Sequence, residues 1–155
     1  MSILVTGGCG YIGSHVCLEL LDAGYDAVVL DNLSNSKSIV LERVTQITGK
    51  PVKYYEADIL DVKALQKIFT ENKIEAVMHF AGLKSVEESC SMPLRYYHNN
   101  VTGTIILCSI MREFDVKKIV FSSSAAVYGI QKIMPISEAC ATGAENPYGR
   151  TKLII

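Results

Sequence analysis

The chain has 155 residues with a formal net charge of -1, of which 49% are hydrophobic and 20% charged. That length suits one compact domain with a sizeable core, and the near-zero charge offers no basic field for nucleic acid or an anionic membrane. The five cysteines (Cys9, Cys17, Cys90, Cys108, Cys140) are odd in number and never spaced Cys-x-x-Cys, so reduced thiols in a cytoplasmic protein are expected, with no metal site and no disulfide framework.

Short apolar runs alternate with longer segments of helical period. Ile3–Thr6 reads as a first strand, and its abrupt stop at Gly7-Gly8 distinguishes it from a signal peptide. Tyr11–Ala23 reads as a helix with Ile12, Val16, Leu20 and Leu21 on one side, closed by Gly24 as a C′ glycine. Ala27–Leu30 is the second strand, and Lys37–Thr48 the second helix. Val52–Glu56 is the third strand, followed by a helix over Val62–Asn72 with Asp61 as N-cap and Leu65, Ile68 and Phe69 on its apolar face. Ala76–Phe80 is the fourth strand, Leu94–Phe114 a long helix, and Lys118–Ser122 the fifth strand. Asn146 and Pro147 form the N-cap and N1 of a last helix. No apolar run approaches the roughly 20 residues needed to span a bilayer. Strands that are apolar on both faces, alternating with helices, predict a doubly wound α/β fold: a parallel sheet covered on both sides, of the dinucleotide-binding Rossmann type. Residues 1–155 are read as one domain. The apolar tail Leu153-Ile154-Ile155 calls for cover, so the chain is expected to be truncated.

The first strand runs into Gly7-Gly8-Cys9-Gly10-Tyr11-Ile12-Gly13, which opens the first helix. In that strand–loop–helix setting Gly7 permits the tight turn, Gly10 lets the backbone approach a diphosphate, and Gly13 lets the helix pack closely. The helix N-terminus adds free N–H groups and partial positive charge. Outside that setting the same glycines would be a plain turn. Asp31 ends the second strand about 20 residues on, where a carboxylate accepts from ribose hydroxyls and repels a 2′-phosphate, which favours NAD over NADP; its competing role is a helix cap. Asp58, after the third strand, suits either an adenine edge or a structural turn. Ala81 and Gly82 follow the fourth strand and are small enough for a cofactor to lie against them. Lys84 reaches a cofactor ribose or simply solvates a helix start.

Tyr148-Gly149-Arg150-Thr151-Lys152 places a tyrosine and a lysine one helical turn apart on one face. An ammonium and an oxidised nicotinamide ring both favour phenolate, so such a tyrosine takes a proton from a sugar hydroxyl as hydride leaves the carbon. Lys152 would also hold the nicotinamide ribose. The plain alternative is a surface pair. Ser122-Ser123-Ser124 close the fifth strand, on the side where ligands of such sheets bind, and Ser124 can exchange a hydrogen bond with the reacting oxygen. Capping the strand exit is its competing role.

Together these stretches resemble the UDP-glucose 4-epimerase family of the extended short-chain dehydrogenase/reductase superfamily. The matching segments are Thr6–His15, Leu30–Leu33, His79–Lys84, Tyr96-Tyr97, Asn99–Thr104, Ser122–Gly129 and Pro147–Lys152. The spacing Gly-x-x-Gly-x-x-Gly and Tyr-x-x-x-Lys belong to the whole superfamily; Phe80-Ala81-Gly82-Leu83-Lys84 is more particular to the epimerases. The resemblance implies bound NAD and a UDP-hexose substrate. Tyr148 would remove the proton of the sugar 4-hydroxyl while hydride passes from C4 to NAD, the keto sugar would turn about its diphosphate, and hydride would return to the opposite face. Ser124 would position that hydroxyl, with Lys152 as the third member of the catalytic set. The resemblance further implies cofactor contacts from Asp31, Asn32, Asp58, Ile59, Phe80, Lys84, Asn99 and Lys152, with Tyr11, Ile12 and Ser122 lining the same cleft. It also implies a homodimer paired through helices such as Leu94–Phe114, and it covers only the N-terminal half of such an enzyme. The dehydratases of the superfamily carry an Asp-Glu pair just after the serine or threonine of the fifth strand; Ala125-Ala126 stand there instead. Two further readings stay open: an NAD-binding module without activity, and another sugar-nucleotide enzyme of the same superfamily.

Overall fold

The computed structural model describes residues 1–132 and 134–155, which fall into two compact units. The first comprises Met1–Ala81 and Ile106–Ser122, the second Gly82–Ile105 and Ser123–Ile155.

The first unit holds a five-stranded sheet in the order β3-β2-β1-β4-β5. Its strands are β1 (Ser2–Thr6), β2 (Asp26–Asp31), β3 (Lys53–Glu56), β4 (Ile74–His79) and β5 (Ile119–Phe121). All four pairings are parallel, with Leu4 opposite both Val28 and Val77. Successive strand residues point to opposite faces, and the core divides accordingly. Leu4, Val28, Leu30 and Val77 join one cluster with α3 (Val62–Glu71) and the C-terminal part of α6 (Gly103–Glu113). Val5, Ala27 and Val29 join the other with α1 (Tyr11–Asp22) and α2 (Ile39–Thr48). The sheet is thus buried on both faces, as the unbroken apolar runs foretold. Sheet order reverses beside β1, which pairs with β2 on one side and β4 on the other. β5 lies at one edge, and its Ile119 and Val120 are exposed.

Helix ends follow the residues that cap them. Asp61 accepts from Ala64 N–H at 3.1 Å at the start of α3. α1 stops at Asp22, and Gly24 takes φ +85° two residues later, the left-handed position that favours glycine. The expected helix over Leu94–Phe114 is not uniform. α4 (Val86–Ser91) precedes it, capped by Ser85, and then come α5 (Pro93–Tyr96), a π-helical turn (Tyr97–Thr102) and α6. Proline at N1 begins α5. The π turn inserts an extra residue where a buried amide, Asn100, has partners to meet.

The second unit also holds a 3₁₀ turn (Ala125–Tyr128) and α7 (Pro147–Ile154). Asn146 caps α7 by accepting from Gly149 N–H at 2.8 Å. Among the described residues no helix is long and apolar enough to cross a membrane.

Candidate active site

In the first unit the expected nucleotide residues gather at the carboxyl ends of the strands, where the order of the sheet reverses. Gly7 has φ +71°, and a Cβ there would lie 2.7 Å from Ala81 N and 2.9 Å from Phe80 C. The glycine bend therefore rests directly on the backbone leaving β4. A Cβ on Gly13 would meet Gly7 O at 2.3 Å and Gly8 Cα at 2.8 Å, so α1 packs onto the bend as closely as backbone allows. Gly10 is the extended N-cap residue of α1, and no side chain caps the helix. The first-turn N–H groups are thus left for an anion. Tyr11 and Ile12 are exposed at this helix start. The bend fits a diphosphate: bare backbone, helix N-terminus, and no side chain in the way.

Asp31 is 7% exposed and held by three donors. Its Oδ2 accepts from Cys9 N at 2.9 Å, and its Oδ1 from Leu33 N at 2.9 Å and Ser36 Oγ at 2.7 Å. Leu33 adopts φ 55°, a left-handed conformation uncommon for a branched side chain, in the turn that wraps the carboxylate. Asp31 caps no helix; α2 begins after Ser38. Asp58 does shape a turn, accepting from Leu60 N at 2.8 Å, and its other oxygen accepts from Asn32 Nδ2 at 2.7 Å. Ile59 is buried beside it. Ser122 follows β5 and donates its N–H to His79 O at 3.1 Å. Cys9, within the bend, is buried, and desolvation first, then the Asp31 carboxylate, push its thiol up to about 12. Cys17 is likewise pushed up to about 12 by burial. Both are inert as nucleophiles.

In the second unit the residues expected to do chemistry lie on α7 and the segments packed against it. Tyr148 is half-buried, and Lys152, one turn on, is 7% exposed. Burial pulls the Lys152 ammonium from its ordinary 10.5 down to about 8. A methyl on Gly82 would stand 3.6 Å from Lys152 Nζ and 3.4 Å from Asn100 Oδ1, so Gly82 supplies an uncluttered wall beside the ammonium. Ser124 Oγ accepts from Ala126 N at 3.2 Å as N-cap of the 3₁₀ turn. Capping uses the oxygen and leaves the hydroxyl proton to be donated. Lys84 is exposed, just ahead of the Ser85 that caps α4. Asn99 donates to Asn100 Oδ1 at 2.9 Å, a contact between neighbours that a regular α-helix does not allow.

Three residues of this unit were not singled out from sequence. Gly149 lets α7 approach the 3₁₀ turn, since a Cβ there would sit 2.8 Å from Ala126 O. Asn100 is 3% exposed, with its carbonyl accepting from Leu83 N at 2.8 Å and its amide donating to Leu83 O at 3.0 Å and Thr151 Oγ1 at 3.1 Å. Thr151 is fully buried between Tyr148 and Lys152. The Tyr-Gly-x-Thr-Lys spelling held the signal for Gly149 and Thr151: small or hydroxylated residues on a helix face that must come close.

Comparison with known proteins places the chain in a family. Residues 3–155 match the family described as "NAD dependent epimerase/dehydratase family". The UDP-glucose 4-epimerase of Bacillus subtilis (strain 168) is 63% identical over 155 residues, which are 100% of this chain and 46% of that protein. That of Pasteurella multocida (strain Pm70) is 58% identical over 156 residues, again 100% and 46%. The solved Bifidobacterium longum UDP-glucose 4-epimerase, in complex with NAD+ and UDP, superposes with a TM-score of 0.97 at 51% identity, over 99% of this chain and 46% of that one. The chain thus spans under half the length of the relatives it matches. With the glycine bend at the strand order's reversal, the Tyr–Lys helix and a family match over nearly every residue, the chain belongs to the NAD dependent epimerase/dehydratase family.

Proposed function

We propose that this chain is the cofactor-binding, proton-transferring part of a UDP-hexose 4-epimerase that interconverts UDP-galactose and UDP-glucose. The observation that carries the reading is Lys152: an ammonium buried to 7% exposure, one turn from a half-buried tyrosine. Burying a lysine is costly, and perturbed titratable groups of this kind cluster at functional sites.

NAD, when bound, supplies a reversible hydride acceptor. The backbone of Gly7, Gly10 and Gly13, with the first turn of α1 at Tyr11 and Ile12, holds its diphosphate. Asp31 accepts from the adenosine ribose through the lone pairs its three donors leave open, and its charge excludes a 2′-phosphate. In the first unit Asn32, Asp58 and Ile59 border the adenine, with Phe80, Ala81 and Ser122 as further cofactor contacts; in the second, Gly82, Lys84 and Asn99 are the cofactor contacts. Tyr148 takes the proton of the sugar hydroxyl and returns it. Lys152 holds the nicotinamide ribose. Ser124 donates its free proton toward the reacting oxygen. The names of the solved relatives, one with NAD+ and UDP and another, from Stenotrophomonas maltophila, with NAD and formylated UDP-arabinopyranose, support the same ligand classes here.

UDP-galactose given to the full-length polypeptide should yield UDP-glucose with no build-up of NADH; stoichiometric NADH would make it a dehydrogenase instead. The 155-residue chain by itself should bind NAD in isothermal titration and turn over little or no sugar nucleotide. Its five free cysteines suit a reducing, cytoplasmic setting. Sedimentation of the full-length protein tests the homodimer.

A further inference from the structure

α7 carries Tyr148 and Lys152, yet it has no apolar stripe to seat it. Its buried residues are Gly149, Thr151 and Lys152, while Leu153 and Ile154 are exposed. Within this chain, then, the side chains that α7 buries fully are small or polar, and hydrogen bonds carry much of its seating. Thr151 is 0% exposed, and its Oγ1 has two partners in the second unit. Asn100 Nδ2 stands at 3.1 Å and Tyr148 O at 2.7 Å. An amide nitrogen only donates, so the hydroxyl accepts from Asn100 and gives its own proton to the Tyr148 carbonyl. The amide cannot be flipped: Oδ1 accepts from Leu83 N and Asn99 Nδ2, and Nδ2 donates to Leu83 O. All four hydrogen-bonding positions of the Asn100 amide are thus used, along with the Thr151 hydroxyl proton and one of its lone pairs. The link runs from the Leu83 backbone through one buried amide and one buried hydroxyl to the backbone of the tyrosine itself.

We propose that Thr151 is a positioning residue for the Tyr148–Lys152 pair, fixing the register of α7 against the π turn through Asn100. This rests on the catalytic reading of that pair. Threonine in mid-helix bonding back to the i−3 carbonyl gains little for the helix itself, so the inward bond to Asn100 is what the hydroxyl is for. Misplacing reacting groups by about 1 Å costs on the order of 100-fold in rate.

The test uses the full-length polypeptide with Thr151→Val, which keeps the shape and removes the hydroxyl, and Thr151→Ser, which keeps the hydroxyl. Expected is a fall in kcat of about 100-fold for Thr151→Val, NAD affinity and the KM for UDP-galactose near wild type, and recovery of kcat in Thr151→Ser. Thr151→Cys, close in size but a weak donor and acceptor, should fall between them, and serves if the valine variant does not fold. Equal kcat in the serine and cysteine variants would overturn the proposal, as would loss of kcat only in step with loss of NAD affinity and melting temperature. Tyr148→Phe separates the two readings. If it keeps full turnover, the catalytic assignment of the pair fails; if it is inactive while Thr151→Val and Thr151→Cys are fully active, only the positioning role fails.

Discussion

Every residue of both apolar clusters lies in the sheet-bearing unit, from Leu4 and Val5 to Ile110 and Met111. Among the described residues of the other unit, the buried apolar ones are Tyr96, Val127 and Ala144, beside the polar Ser89, Asn100, Thr104, Thr151 and Lys152. The contrast matches what each would hold under the proposed function. A diphosphate is met by backbone amides, and backbone is placed well by a tightly packed sheet whose apolar residues fill both faces. A proton-transferring pair is met by side chains, which must themselves be held, and buried hydrogen bonds do this with direction that packing lacks. Burial of Tyr96 illustrates the mixture: its ring is fully enclosed, while its hydroxyl donates to Glu88 Oε2 at 2.7 Å and accepts from Ser85 N at 3.0 Å.

The largest expected effect tests the apolar side of this contrast. Leu65→Ala, at a residue with no exposure in the cluster under α3, should cost about 4 kcal/mol in denaturant unfolding. A cost near that of a surface change would mean that burial is not what holds the sheet. Gly13→Ala should follow at about 3 kcal/mol and abolish NAD binding in titration, because its Cβ would meet the Gly7–Gly8 backbone rather than a side chain able to turn away.

Lys152 tests the polar side through pH. With its folded pKa at about 8 and its ordinary value at 10.5, the unfolded chain holds more protons between those limits. Stability therefore rises with pH across that window, by about 1 kcal/mol per unit for one proton. Wild type should gain on Lys152→Met by that slope above pH 8 and run parallel to it below. The buried thiols of Cys9 and Cys17 act in the opposite sense above about 9, where the unfolded chain loses their protons first. They are common to both proteins and cancel in the difference. A flat difference would show that the ammonium is not desolvated. Smallest of all, Lys67→Ala breaks an exposed i,i+4 pair with Glu71 at 3.9 Å and should stay within about 0.5 kcal/mol of wild type in the same unfolding assay.

Much of the sheet-bearing unit was legible because its signals are local. Unbroken apolar runs, the glycines after β1, Asp61 as a cap and Gly24 as a stop each act within a few residues. The second unit was harder to read for a physical reason. Leu94–Phe114 has continuous helical character in sequence, and nothing in its apolar period marks the extra residue of the π turn. That turn answers to Leu83 and Thr151, far away in the chain. Asp58 and Ser124 show a different limit. For each, turn or cap geometry stood as an alternative to a ligand role. The structure shows the turn and the cap plainly, while leaving acceptor or donor capacity in place. One side chain has room for both roles.

The outermost strand, β5, has a consequence for anyone handling this chain. It forms one edge of the sheet, and Ile119 and Val120 put exposed apolar surface there. Such a rim is a template onto which another extended segment can zip. In concentrated solution, that rim is where clumping of the isolated polypeptide would begin, and a charged side chain there is the natural remedy.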